Sequence, residues 1–308
     1  MKWFDGHCDT LMGLQFSKNK QNSLRENDMH IDLERGLRKE AYAQFFAVFG
    51  FPEMVRSGDV FDLLYSRFCR ELEENQDVMA QCRTRAELDE AVKSGKAAAF
   101  LSIEGAEVIG CDIRRLEYAF EKGVRCFGIT WNRATELCGT NSELPEQGLS
   151  RRGKEFCREA QRLGMLLDVS HLSDAGFWDV EALSTAAFVA THSNSRAVHA
   201  HRRNLTDDMF KAIRDHGGVV GLNLYADFLG DGQVTTETCF RHIEHFLDLG
   251  GESTVAMGSD MDGCERLPNG IRGIQDTELL WEELDRHGYP KELTDKLFYE
   301  NWRRVLPE

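Results

Sequence analysis

Several features are missing from this sequence, and each absence removes a class of protein. None of the nine cysteines forms a C-x-x-C pair; they are scattered at positions such as Cys69, Cys111, Cys157 and Cys239. A structural zinc site needs ligands paired closely in sequence, so zinc-finger chemistry is disfavoured and the thiols read as reduced and mostly buried. No run of about 18 apolar residues could span a bilayer, and the N-terminus lacks the charged start, apolar run and cleavage site of a signal peptide. The expected location is therefore the cytoplasm. No basic cluster exceeds a few residues and the net charge is −15, which argues against a nucleic acid or an anionic membrane as partner and favours a small substrate. Linkers, repeats and low-complexity segments are also absent.

What is present suits a globular enzyme. Apolar residues make up 42% of the 308 residues and charged residues 29%, enough for a sizeable core. Short apolar or β-branched runs recur at 2–7, 42–49, 96–103, 124–131, 164–170, 186–191, 218–225 and 253–259. Between them lie segments of helical periodicity, such as 59–80, 150–164 and 206–218, the last opening on a Thr or Asp cap and closing on glycine. Eight near-continuous apolar strands alternating with helices predict a single α/β domain over 1–308, a (β/α)8 TIM barrel with terminal helices from 274–306; an open doubly wound sheet is the alternative.

The ionisable residues fall where such a barrel would use them. In DGHCDTL, His7 and Asp9 are two apart at the end of the first strand, where i and i+2 share a face. Glu104 ends the third run, His171 the fifth, His192 the sixth and Asp260 the eighth. Strand ends of a barrel open onto one rim, so residues more than 250 apart in sequence converge. Imidazoles and carboxylates suit zinc or a similar divalent ion, and five or six ligands exceed what one ion needs, which predicts two ions about 3.5–4 Å apart. Glu104 is the natural bridge, because a carboxylate has two oxygens. Of the other histidines, His199 and His201 are expected behind the ligands, while His30, His216, His242, His245 and His287 are expected to be structural.

Seven motifs occur in order: DGHCDTL, SIEGAE, GITWN, LLDVSHLSD, ATHSNS, HRRNLTDD and GSDMDG. They resemble the membrane (renal) dipeptidase family, binuclear zinc peptidases of the amidohydrolase-like barrels, and the similarity covers nearly the whole chain. The resemblance implies that His7 and Asp9 bind one zinc, His171 and His192 the other, and that Glu104 and a water or hydroxide bridge them. It further implies that Arg203 holds the substrate carboxylate and that Asp260 handles protons. A homodimer is a family-level expectation. One position departs from the animal enzymes, which carry a histidine where this chain has Trp131; an indole donates one N–H and is never charged. Tyr225, at the seventh strand end, is expected to line the pocket. The activity implied is cleavage of dipeptides, with acceptance of L-D dipeptides left open by the sequence. Opening of a lactone, β-lactam or cyclic amide is the rival reaction, and a metal-binding module without catalysis is the rival class.

Overall fold

The computed structural model describes residues 1–55 and 60–308. Its nine parallel strands are β1 (Lys2–Cys8), β2 (Ala41–Val48), β3 (Met79–Gln81), β4 (Ala97–Glu104), β5 (Val124–Gly128), β6 (Leu166–Asp168), β7 (Phe188–Val189), β8 (Val220–Leu222) and β9 (Val255–Met257). Eight of them run β7-β6-β5-β4-β2-β1-β9-β8 around the sheet, and β3 stands off this path. One bridged pair, Ala190 with Val220, joins the two ends and closes the ring. The fold is an α/β barrel of the TIM type, with each of the eight ring strands where an apolar run places one.

The helix expected over 59–80 is corrected. It covers Val60–Glu74, with residue 59 outside the described residues, and its tail becomes turns and strand β3. Two alanines of β4, Ala98 and Ala99, pair with β2 on one side and with β3 on the other, while Ser102 to Glu104 pair with β5. β3 thus fills the stretch of that edge of β4 below the point where β5 begins. A three-residue strand gives no period-2 signal, which is why its sequence merges into the preceding helical pattern.

The buried apolar residues form two cores. Inside the barrel, Phe4, Phe45 and Phe100 pack with ring centroids 5.1–5.9 Å apart. Trp302, from the C-terminal helical segment, closes the lower end: its ring lies 5.9 Å from that of Phe45, and its indole donates to the Met257 carbonyl at 2.7 Å. A second, larger core lies between strands and outer helices, where Phe46, Phe68, Phe127 and Phe156 are buried. The helix over Arg151–Leu163 shows how local chemistry sets boundaries: Ser150 accepts the Gly153 amide at its start, and Gly164 takes the left-handed conformation at its end. Glycine is required at two places near the seam. A Cβ on Gly221 or Gly258 would run into the Thr191 carbonyl oxygen, so β8 and β9 approach β7 only because both positions lack one.

All nine cysteines are free thiols and seven are buried. Among the described residues no helix is long and apolar enough to cross a membrane.

Candidate active site

The C-terminal ends of the strands deliver the candidate residues with a regular offset. Trp131, His171, His192, Tyr225 and Asp260 each stand three residues beyond the last residue of β5, β6, β7, β8 and β9. Glu104 is the final residue of β4, and His7 lies in β1. Asp9 follows β1, where the β1–β2 register shifts between Asp5 and Cys8, so strict alternation does not place it. Its backbone turns into the helix Thr10–Phe16 instead, which still brings Asp9 Oδ1 to 3.4 Å from His7 Nε2.

Glu104 is the centre of the arrangement. Its Oε2 lies 3.5 Å from His7 Nε2, and its Oε1 lies 2.8 Å from His171 Nε2 and 3.6 Å from His192 Nε2. The two imidazoles of β6 and β7 aim their Nε2 atoms at each other, 2.9 Å apart. Three overlapping groups of ligand atoms result: His7, Asp9 and Glu104; Glu104, His171 and His192; and His7, His192 and Asp260. All are buried.

The electrostatics follow from that burial. Burial opposes charge on Glu104, yet His7 and His171 beside it hold its carboxyl well below the usual carboxylate range. His7 is the converse: burial disfavours its cation, but Glu104 and Asp9 raise it above the ordinary imidazole value. Burial, then Arg203, pushes His171 down to about 4, and burial, then His7 and Arg203, pushes His192 well below the ordinary imidazole value. Both rings are therefore neutral near pH 7, the form in which imidazole binds a metal. Asp260 is raised to about 6, first by burial and then by Glu104, against the pull of His7 and of a 2.9 Å hydrogen bond from Asn223. Asp9 is raised to about 7, again chiefly by burial.

A divalent ion fits this donor set. His7 Nδ1 and Nε2, Asp9 Oδ1, Glu104 Oε2 and His171 Nδ1 are buried without a hydrogen-bond partner. Leaving one such atom unmatched costs about 1–3 kcal/mol, so several together mark a place built to meet positive charge.

Asp9, Glu104 and His171 line a cavity of about 220 Å³, together with Trp131, Arg203, Tyr225 and Asp260. Arg203 is buried: Nη2 stands 2.9 Å from His171 Nε2, and Nη1 has no partner. The Trp131 ring is held by Phe49 and Phe51 at 5.0 and 5.5 Å, and the Tyr225 hydroxyl donates to Glu265 at 2.5 Å. His201 also lines the cavity; its Nδ1 accepts the Arg203 amide and its ring stacks on Phe228. His199 does not line it, and His30 and His242 serve backbone amides of Asp262 and Ser195.

Asp260 is held in the left-handed region, φ 58°, as is Asp262, φ 67°. Asp262 fastens this turn by accepting from the Thr10 hydroxyl at 2.6 Å and the His30 amide at 2.7 Å. Non-glycine residues in that region cost on the order of 1 kcal/mol or more and cluster at functional sites. Sequence reasoning missed Asn223, Thr191 and Asp168. The first two are uncharged, and the third ends β6 but lies inside the run expected over 164–170, whose end points to His171 instead.

A parallel barrel with a buried imidazole and carboxylate cluster on its C-terminal face defines a metal-dependent hydrolase. The profile of the family described as membrane dipeptidase (peptidase family M19) matches residues 1–308, and the chain belongs to that family, whose members are metallo-dipeptidases acting on peptide bonds. The chain is 34% identical, over 81% of its length and 97% of the relative's, to an uncharacterized protein in the pqqA 5' region of Klebsiella pneumoniae. It is 31% identical to an uncharacterized dipeptidase of Schizosaccharomyces pombe, over 69% of this chain and 53% of that protein. The structure superposes with TM-score 0.90 and 31% identity on a metallo peptidase from Rhodobacter sphaeroides liganded with a phosphinate mimic of the dipeptide L-Ala-D-Ala; 99% of this chain and 98% of that chain are covered.

Proposed function

We propose that this protein is a zinc-dependent dipeptidase with two ions per subunit and a substrate range that includes L-D dipeptides. The observation that carries the reading is the placement of Glu104 between His7 and the pair His171 and His192, in the wall of the same small cavity as Arg203. His7 and Asp9 would hold one ion, His171 and His192 the other, and Glu104 would serve both. Bound there, the ions would supply Lewis acidity, polarising the scissile carbonyl and making water a nucleophile near neutral pH.

The chain's own residues do the rest. Asp260 Oδ2 is tied to Asn223, which turns the carboxylate so that Oδ1 lies 3.9 Å from His7 Nε2 at the cavity wall. A carboxyl raised to about 6 accepts a proton from water and releases it to the leaving amine close to physiological pH. Arg203 meets the C-terminal carboxylate of the substrate through Nη1, which confines the site to peptides whose carboxylate lies one residue beyond the scissile bond. Trp131 and Tyr225 wall the cavity, Trp131 with an apolar face and one N–H, Tyr225 with a hydroxyl already committed to Glu265. At about 220 Å³ the cavity is smaller than most drug-sized sites, which suits a dipeptide. We place the enzyme in the cytoplasm as one hydrolase unit over 1–308, forming a homodimer and partnering neither nucleic acid nor membrane, in keeping with its charge of −15.

The test is an assay of chelator-stripped and zinc-restored protein on a matrix of L-L and L-D dipeptides, with an N-acylated amino acid and a lactone alongside. Zinc-restorable cleavage of dipeptides alone is the expected result. Lactone opening without dipeptide cleavage would transfer the same site to the rival reaction.

A further inference from the structure

Resting on the reading of His171 and His192 as metal ligands, we infer that Asp168 and Thr191 are positioning residues that fix the ring proton of His192, and that the direction of their hydrogen-bond chain sets cation affinity at that imidazole. Asp168 is the last residue of β6, and its carboxylate is buried. Oδ1 accepts from the amides of Ser170 and Thr191 at 3.0 and 2.9 Å and from the Ser170 hydroxyl at 2.7 Å. Oδ2 accepts from the Thr191 hydroxyl at 2.5 Å.

A carboxylate has no proton to give, so the single hydroxyl proton of Thr191 is committed to Asp168. Thr191 Oγ1 also lies 2.8 Å from His192 Nδ1, and with its proton spent it can only accept there. Nδ1 is therefore the donor. The neutral ring then keeps its Nε2 lone pair, the atom that faces Glu104 and His171, free for a cation.

The same carboxylate holds the backbone. Ser170 precedes His171 and Thr191 precedes His192, and Asp168 grips both, while the Ser170 oxygen accepts the His192 amide at 3.1 Å. The strands themselves pair in register at two positions only, Leu167 with Phe188 and Asp168 with Val189. The carboxylate therefore adds to a short ladder in holding the two imidazoles at one separation.

Asp168→Asn tests the direction of the chain because it reverses it. Two backbone amides aimed at Oδ1 keep the amide oxygen there, so the NH2 group falls opposite Thr191 and donates. Thr191 must then give its proton to Nδ1, and the ring proton moves to Nε2, the cation-facing atom. Zinc is titrated against a chromophoric chelator in the wild type and in D168N, T191V, T191S and D168N/T191V. D168N should lose about 10- to 100-fold in affinity at one of two sites. T191V should lose less and T191S nothing, and the double variant should recover towards T191V, because valine cannot relay the reversed bond. Imidazole 15N shifts of the metal-free proteins should show His192 protonated at Nδ1 in wild type and T191S and at Nε2 in D168N.

Wild-type affinity in D168N with Nδ1 still protonated would overturn the inference, as would equal losses in T191V and T191S or a double variant losing the sum of both. If D168N fails to fold, the T191V and T191S pair decides. A wild type that binds fewer than two ions tightly would count against the metal reading, while the 15N shifts would still decide the direction of the chain.

Discussion

Replacing Arg203 with methionine keeps the length of the side chain and removes its charge and donors. In the structure the guanidinium is buried, Nη2 is shared with His171, and Nη1 is unpartnered at the cavity wall. Nη1 is thus a buried donor that a substrate carboxylate would meet. A hydrogen bond to a charged group contributes about 1.5–3 kcal/mol, which is about a 10- to 150-fold fall in kcat/KM for one lost bond. The assay compares an apolar dipeptide with its C-terminal amide, on wild type and R203M at matched zinc content. The dipeptide should lose the whole factor. The amide, which has no carboxylate to pair, should lose less than about threefold, since the pairing energy is already missing in the wild type. Equal losses on both substrates would refute carboxylate recognition and leave Arg203 as a support for His171.

Glu104→Gln should lower zinc content below two per subunit and abolish turnover, and two tightly held ions with normal activity would remove Glu104 from the bridging position. Gly258→Ala should destabilise by about 1–3 kcal/mol or more, read as a lower urea midpoint, because its Cβ meets the Thr191 carbonyl oxygen; an unchanged midpoint would mean that β9 moves aside freely. Trp302→Ala should cost about 3–5 kcal/mol by opening the lower end of the barrel, while an unaffected Tm would deny it that role. Glu107 is raised to about 7, by burial first and then by Glu104, from an ordinary 4.5. Its folded state binds the proton more tightly, so the chelated wild type loses stability as pH rises from about 4.5 through 7. The Tm advantage of E107Q should therefore be nil at pH 4.5 and full above 7, and an advantage that shrinks with pH would contradict the sign.

The barrel was legible because β1, β2 and β4 are seven or eight residues of apolar sequence, buried nearly throughout, and parallel strands covered on both faces look like that. Boundaries were less so. The runs expected at 164–170 and 186–191 shrink to Leu166–Asp168 and Phe188–Val189, because their last residues leave the ladder to present His171 and His192. That departure explains why a charged residue at a strand end was a usable signal, since a buried charge three residues past the ladder needs a reason to be there. The supporting residues gave no such signal. Asn223 turns Asp260, and Thr191 links Asp168 to His192, through neutral groups whose importance lies in which atom donates, a fact of geometry alone. Asp9 was placed by strand alternation but reaches its partner through a helical turn, so the right neighbour came from a different path.

The ring of strands is fastened between β7 and β8 by one bridged pair, Ala190 with Val220, and three backbone hydrogen bonds. A hoop with so short a clasp opens there ahead of its six-pair β2–β4 ladder, and amides flanking the clasp should exchange with solvent ahead of those in β2 and β4. His192 lies on one side of that clasp, and its partners in ligand geometry, His7 and Asp260, are reached across it from β1 and β9. Two ions sharing Glu104 would tie His192 to His7 through that carboxylate, so the centre that would do the chemistry would also brace the hoop.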